Sequence, residues 1–395
     1  MRFFFSAGEA SGEAYGAQLI TTLRQGLPDG EFFGLGGDAM RAAGCDTVVN
    51  AADIAVVGLA EVVRHLPYIY RQYKTLLRAV DARRPDAAIL IDFPDFNFRL
   101  ARQLHRRGIP VFYYISPQMW AWRPGRIELV RRYVRQMLVI FPFEQEWYRE
   151  RGVDAIYVGH PLADLPAPTI SREAFGRQCG LDPEKWWIAL LPGSRRREVS
   201  MNLPAMLEAA RQLGPGYQFL LPVAPTLDRS WVEGLTRDSG LPVIFTGDAR
   251  GTLHHARAGI VASGTATVEA ALLGLPFVMV YRVAPLTFAI GRPLVKVPFY
   301  GMVNLIAGRL VVPELIQHEF RAERVTSALA AIIADGPARE QMLADLASVR
   351  HALQGPISTG LQGRSATERV AKVILNKVSK FQSFKVGPPP ASISR

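Results

Sequence analysis

Short apolar runs alternate with longer amphipathic stretches along nearly the whole of this chain, and no other feature constrains its fold as much. A short apolar run between polar or Gly/Pro boundaries reads as a strand buried on both faces. The stretches between such runs read as helices covering a parallel sheet. A first set of strands is expected at residues 2–6, 31–33, 87–91, 111–115, 137–141 and 155–158, and a second at 187–191, 218–223, 243–246, 259–262 and 277–281. Helices fall between them: within 13–23, Tyr15, Leu19, Ile20 and Leu23 share one stripe, and another helix is expected over 96–107. The proline-rich segment 161–185 has neither period and reads as a connection. The expected fold class is α/β, with two Rossmann-like, doubly wound domains at 1–165 and 186–355 facing a cleft. A C-terminal helix over 356–380 and a disordered tail over 381–395 complete the expectation.

Composition narrows what such a fold could do. At 395 residues, 49% apolar and 21% charged, the chain can build two cores and is not a disordered protein. Its longest uncharged run, 212–227, is broken by proline and glycine and is too short to span a bilayer. The start, Met1-Arg2-Phe3-Phe4-Phe5-Ser6, has too short an apolar stretch for a signal peptide, so a cytoplasmic location is expected. Cys45 and Cys179 cannot form a disulfide framework, and no His/Cys/Asp/Glu cluster has metal-ligand spacing; neither a metal nor another cofactor is expected. The net charge of +11 is spread over Arg83-Arg84, Arg106-Arg107, Arg131-Arg132 and Arg195-Arg196-Arg197. That dispersal argues against nucleic acid and for an anionic substrate or membrane surface. Residues 56–80 and 285–302 mix apolar and aromatic side chains with cations, as a core helix would, or as would a patch that meets lipid.

The loops after the strands hold the candidate chemistry. In Gly8-Glu9-Ala10-Ser11-Gly12-Glu13, Ser11 is placed to cap a helix, or to touch substrate. Leu191-Pro192-Gly193-Ser194-Arg195 and Ala262-Ser263-Gly264-Thr265-Ala266-Thr267-Val268-Glu269 each join a strand to a helix. Small residues there let a phosphate approach helix N–H groups, Arg195 supplies a positive fork, and Glu269 could accept from ribose hydroxyls. Either loop alone reads as an ordinary helix start; two in one domain favour a diphosphate site. In Ile91-Asp92-Phe93-Pro94-Asp95-Phe96-Asn97, Asp92 ends a strand and is the candidate general base, against the alternative of a buried carboxylate tied to backbone N–H groups. Asp95 reads as the N-cap of the next helix. Trp120, Trp122 and Arg123 form a candidate substrate wall or simple packing, and His160 a proton-transfer group or a hinge residue. His254 and His255 read as structural. Gly34-Leu35-Gly36-Gly37-Asp38-Ala39, with Asp53 beyond it, fits a dinucleotide fingerprint but follows the second strand instead of the first.

Taken in order, these motifs resemble those of the lipid-A-disaccharide synthases, bacterial inverting glycosyltransferases of GT-B type. The resemblance rests on the Gly8–Gly12 opening, the Ile91–Asn97 run, Ser116-Pro117-Gln118-Met119-Trp120-Ala121-Trp122-Arg123, the two glycine-bearing loops, and Asn304-Leu305-Ile306-Ala307-Gly308-Arg309. It implies transfer from a UDP-2,3-diacylglucosamine donor to 2,3-diacylglucosamine 1-phosphate, with UDP released. It also implies Asp92 as the base, and Gly193, Ser194, Arg195, Ser263, Gly264, Thr265, Glu269 and Asn304 around the nucleotide. Ser11, Trp120, Arg123 and His160 remain candidate substrate contacts, with no metal. The partners implied are the two lipid substrates and an anionic membrane surface at the inner face of the inner membrane; a homodimer stays open. Phe93 departs from the family, which often has a small residue there. A UDP-sugar epimerase on the same fold, needing no lipid-facing patch, and a basic nucleic-acid binder are the competing readings.

Overall fold

The computed structural model describes residues 1–54, 59–237, 239–355 and 364–385. The chain divides into two compact units: Met1–Asp164 together with Gln354–Arg395, and Leu165–Leu353.

The first unit winds β1 (Arg2–Ala7), α1 (Ala10–Gly26), β2 (Glu31–Gly36), α2 (Asp38–Ala42), β3 (Cys45–Asn50), α3 (Leu59–Arg83), β4 (Ala87–Ile91) and α4 (Pro94–Arg106). It continues through β5 (Val111–Tyr114), α5 (Met119–Trp122), α6 (Ile127–Tyr133), β6 (Gln136–Val139), α7 (Pro142–Arg149) and β7 (Ala155–Tyr157). The strands form a seven-stranded sheet in the order β3-β2-β1-β4-β5-β6-β7, with every registered pair parallel. Such a sheet is covered on both faces, which is why β1 and β4 are continuous apolar runs, buried from Phe3 to Ala7 and from Ala87 to Ile91. In α4 the buried residues Phe96, Leu100, Ala101 and Leu104 recur at helical spacing and supply the covering layer.

The second unit runs α8 (Arg172–Cys179), β8 (Trp186–Leu191), α9 (Arg196–Leu213), β9 (Tyr217–Pro222), α10 (Arg229–Arg237), β10 (Val243–Thr246), α11 (Ala249–His255) and β11 (Ala258–Ala262). After it come α12 (Thr265–Leu272), β12 (Phe277–Tyr281), α13 (Pro285–Gly291), α14 (Met302–Ala307), β13 (Glu314–Ile316), α15 (Ala322–Ile333) and α16 (Pro337–Leu353). Its sheet order is β10-β9-β8-β11-β12-β13, again parallel throughout the registered pairs. The last helix, α17 (Ala366–Lys385), belongs to the first unit and packs on α1.

Several expectations need correction. Strand β2 extends to Gly36, and β3 and β13 were not legible: β3 carries polar residues on its exposed positions, and β13 is only three half-buried residues. The segment 161–185 contains α8, and the division between units falls at Asp164/Leu165. The terminal helix continues to Lys385, so residues 381–385 are helical; residues 386–395 of the expected disordered tail, and 356–363, lie outside the described residues. Of the segment 56–80, residues 56–58 lie outside the description; Leu76, Leu77 and Val80 are core, whereas Leu66, Tyr68 and Tyr70 are exposed. Leu286, Ile290, Leu294 and Tyr300 of the second segment are also exposed.

Candidate active site

In a doubly wound sheet, ligands collect where the strand order reverses, because the loops on either side of that point diverge and leave a crevice. In the first unit the reversal lies between β1 and β4, which pair directly with Ala7 opposite Ile91. The loop after β1 is Gly8–Glu9; the loop after β4 is Asp92–Phe93. The Asp92 turn is strained, with φ of 44° at Asp92 and 47° at Phe93, both in the left-handed region that side chains disfavour. Its main chain is held accordingly. The Asp92 carbonyl accepts from the Tyr113 hydroxyl at 2.6 Å and from Asn97 Nδ2 at 2.8 Å, while the Ser6 hydroxyl donates to Asn97 Oδ1 at 2.6 Å. Fully buried Asn97 thus stitches the ends of β1 and β4 to the first turn of α4. Opposite, a Cβ on Gly8 would lie 2.3 Å from the Phe93 ring, so glycine there is what admits the Phe93 side chain.

These bonds take the main chain and leave the carboxylate. Burial, then the neighbouring charge of Glu9, push the Asp92 carboxyl up to about 6, against the lowering effect of the Phe93 backbone N–H. A carboxylate so placed takes a proton readily yet is ionised at neutral pH, as a general base requires.

Asp95 is not the N-cap. Helix α4 begins at Pro94, whose lack of an N–H suits the first position, and Phe93 precedes it. The exposed Asp95 carboxylate instead pairs with Arg126 and, at 3.8 Å, with Arg123. Ser11 is not a cap either: Glu9 precedes α1, and Ser11 is exposed in its first turn. Trp120 is buried, its indole donating to Glu144 at 3.0 Å, whereas Arg123 is exposed and lies over the Trp122 ring at 4.0 Å. His160 is buried between Tyr15 and Phe141, and its Nδ1 accepts from the Leu162 N–H at 3.1 Å. Burial lowers it to about 3, so it is neutral and serves the turn. The dinucleotide reading is not favoured, because the Glu13 carboxylate stands at the α2 N-terminus where a phosphate would sit, accepting from the Ala39 N–H at 2.7 Å. Gly34 is required instead by strand packing, since a Cβ would lie 2.0 Å from the Phe5 carbonyl.

In the second unit the reversal lies between β8 and β11, which pair directly. The two glycine-bearing loops leave these adjacent strands at one sheet edge, which the sequence alone could not show. Gly193 has φ +126°, and a Cβ would sit 2.7 Å from Glu198. Glu198 accepts from the Ser194 N–H at 3.1 Å and pairs with exposed Arg195 at 3.3 Å. Asn202, buried, donates to the Pro192 carbonyl and accepts from the Arg282 N–H, each at 3.0 Å, fixing the turn to the end of β12. Across from it, Gly264 at φ +146° precedes α12, and both it and Thr265 are exposed, with Ser263 half-buried. Glu269 lies one turn in, 3.7 Å from Arg250, whose Nη1 is buried without a hydrogen-bond partner among the described residues. Arg250 was missed from sequence, having no motif around it. Asn304 is fully buried and committed to its own loop, bonding Val311, Val312 and Glu314. Among the described residues no group of His, Cys, Asp or Glu stands together as a metal site would.

Paired doubly wound units with their loops at the reversal points define the GT-B class. The chain superposes on the glycotransferase of kitacinnamycin with a TM-score of 0.64 at 14% identity, covering 95% of this chain and 98% of that one. UDP-GlcNAc 2-epimerase from Neisseria meningitidis, bound to UDP-GlcNAc, gives 0.64 at 12% identity, covering 96% and 100%. At such identities only the fold is shared, and it serves transferases and epimerases alike. Sequence separates them. The profile of the lipid-A-disaccharide synthetase family matches residues 3–359, and the lipid-A-disaccharide synthase of Koribacter versatilis is 56% identical over 379 residues, 95% of this chain and 98% of that relative. The chain belongs to the lipid-A-disaccharide synthase family, glycosyltransferases of lipid A biosynthesis.

Proposed function

We propose that this chain joins UDP-2,3-diacylglucosamine to 2,3-diacylglucosamine 1-phosphate in a single displacement with inversion. Asp92 takes the proton of the acceptor 6-hydroxyl as that oxygen bonds to the sugar C1, and the C1–O bond to the diphosphate breaks, releasing UDP. The observation that carries this reading is Asp92 itself: a carboxylate at the reversal point of its sheet, with its main chain pinned and its basicity raised. The loops of Gly193–Arg195 and Ser263–Thr265 receive the diphosphate, their N–H groups and Arg195 stabilising the charge that develops on it. Glu269 and Arg250 take the sugar-nucleotide hydroxyls, while Asn304 holds the loop of α14 in place. Ser11 and Arg123, both exposed, remain the candidate contacts to the acylated sugars.

The lipid substrates reside in a bilayer, and no described helix is long and apolar enough to cross one. The exposed side chains of α13 support contact at the membrane surface: Leu286 is 72% and Ile290 61% exposed, with Arg292 and Lys296 exposed beside them. The deciding experiment is mass spectrometry of the products from UDP-2,3-diacylglucosamine with and without the acceptor, alongside UDP calorimetry. A disaccharide phosphate formed only with acceptor, and a UDP affinity weakened at least tenfold in Arg195→Ala, support the proposal. UDP release or sugar isomerisation without acceptor overturns it.

A further inference from the structure

One pocket of the first unit takes no part in the roles assigned so far. It lies between α4 and α6, with a volume of about 310 Å³, at the lower end of the range for small-ligand sites. Phe98 and Leu129 give it an apolar lining, and its charged lining residues are Arg99, Arg102 and Arg126 with a single carboxylate, Asp95. Three cations against one anion leave a local excess of two positive charges. Asp95 is already taken up by Arg126 and Arg123. Arg99 and Arg102, three residues apart on one face of α4, are exposed and have no ion-pair partner among the described residues. Like charges at that spacing repel, and an anion between them removes the repulsion. The pocket therefore matches a dianion attached to something apolar. It begins at Pro94, two residues after the proposed base.

We propose that this pocket seats the phosphate monoester of the acceptor, with Arg99 and Arg102 holding the phosphate and Phe98 and Leu129 meeting the apolar part of the same molecule. The assignment rests on the reading of the chain as a transferase with a phosphorylated lipid acceptor. A phospholipid headgroup offers similar chemistry, so the experiment must separate the two.

Steady-state kinetics of Arg99→Ala, Arg102→Ala and the double variant decide it, using the acceptor with and without its 1-phosphate at saturating donor. The KM for the phosphorylated acceptor should rise about tenfold per arginine, as expected for a charge-assisted contact partly screened by water, with kcat within about twofold. That penalty should vanish on the acceptor lacking phosphate, and Arg99→Lys should recover part of it. UDP affinity and melting temperature should match the parent. Equal KM increases for both acceptors overturn the proposal. So does an unchanged KM accompanied by weaker sedimentation with phosphatidylglycerol vesicles, which would assign the arginines to the membrane. Failure of the parent chain to make any disaccharide would refute the transferase reading before any variant is examined. Phosphorus NMR titration with inorganic phosphate would still decide the pocket: phosphate binding lost in the double variant supports it, and binding unchanged there ends it.

Discussion

Asp92 and Asp95 stand three positions apart in different surroundings, one at the sheet edge with its main chain pinned, the other exposed in ion pairs. Asp92→Asn keeps the size of the side chain but removes its basicity, and turnover should fall by roughly 10²–10⁴-fold at saturating substrates. In the parent, kcat should rise with pH through about 6, as the carboxyl ionises. The stability consequence has the opposite sign to that of a salt-bridged aspartate. Because the folded carboxyl lies above its ordinary value, it contributes stability that is fully present below the unfolded pKa and lost as pH rises through about 6. At pH 7.5, Asp92→Asn should therefore melt at or above the parent temperature while being inactive. Asp95→Ala removes an exposed ion pair rather than a cap, so thermal melts should show a loss below about 1 kcal/mol. An active Asp92→Asn with a folded but inactive Asp95→Ala would identify the other carboxylate as the base.

At the scale of elements, the short helix α5 depends on a carboxylate borrowed from α7. Glu144, fully buried, accepts from the Trp120 indole and from the N–H groups of Ile140 and Phe141, so its carboxylate reaches back to the main chain at the start of α7. Burial pushes its carboxyl up to about 7 despite these donors. Its contribution to stability is thus present below about pH 4.5 and lost as pH rises through about 7. Glu144→Gln should lose about 1–3 kcal/mol by leaving buried N–H groups facing an amide, and its melting temperature should lack that decline between pH 5 and 8. A second element-scale prediction concerns α13. Leu286→Ser with Ile290→Ser should leave the melting temperature near the parent's, since both side chains are exposed, and should weaken sedimentation with anionic vesicles severalfold. Salt should weaken the parent in the same assay. Vesicle binding indifferent to both changes would remove α13 from the membrane contact.

Over the whole molecule, the chain leaves the first unit at Asp164 and returns to it for its last helix. Buried Arg369 secures the return: its Nε donates to the Val158 carbonyl at 2.6 Å, Nη2 to Gln354 at 2.7 Å, and Nη1 to Arg364. Gly159 and Gly355 flank it, and a Cβ on either would strike the guanidinium, at 2.4 and 2.5 Å. Lys377 adds an ion pair to Asp154 at 3.1 Å, and Val370, Ile374 and Val378 bury the apolar face of α17. Arg369→Ala should destabilise the first unit by about 3 kcal/mol, because three charge-assisted bonds go and the carbonyls stay buried. UDP affinity, assigned by the proposal to the loops of the second unit, should be unchanged by calorimetry. A variant that melts like the parent would show that α17 is held by its apolar face alone.

What could be read from residues alone follows from what is local. The strand runs were legible because both faces of a parallel sheet are apolar, and the position of Asp92 was legible because a carboxylate directly after such a run emerges at the sheet edge. Gly193 and Gly264 were legible as loop glycines for the same reason. Helix starts were read less well: Ser11 and Asp95 have the right chemistry for caps, but Glu9 and Phe93 hold those positions, since the end of the preceding strand decides where a helix may begin. Long-range partners were not legible at all. Asn97 bonds Ser6 across 91 residues, Arg369 bonds Val158 across 211, and the adjacency of β8 and β11 sets two loops side by side. Hydrogen bonds and strand order of that kind leave no period in the sequence. They exist only once the sheets close, and it is they that pin the Asp92 backbone and bring the two phosphate-suited loops to one edge.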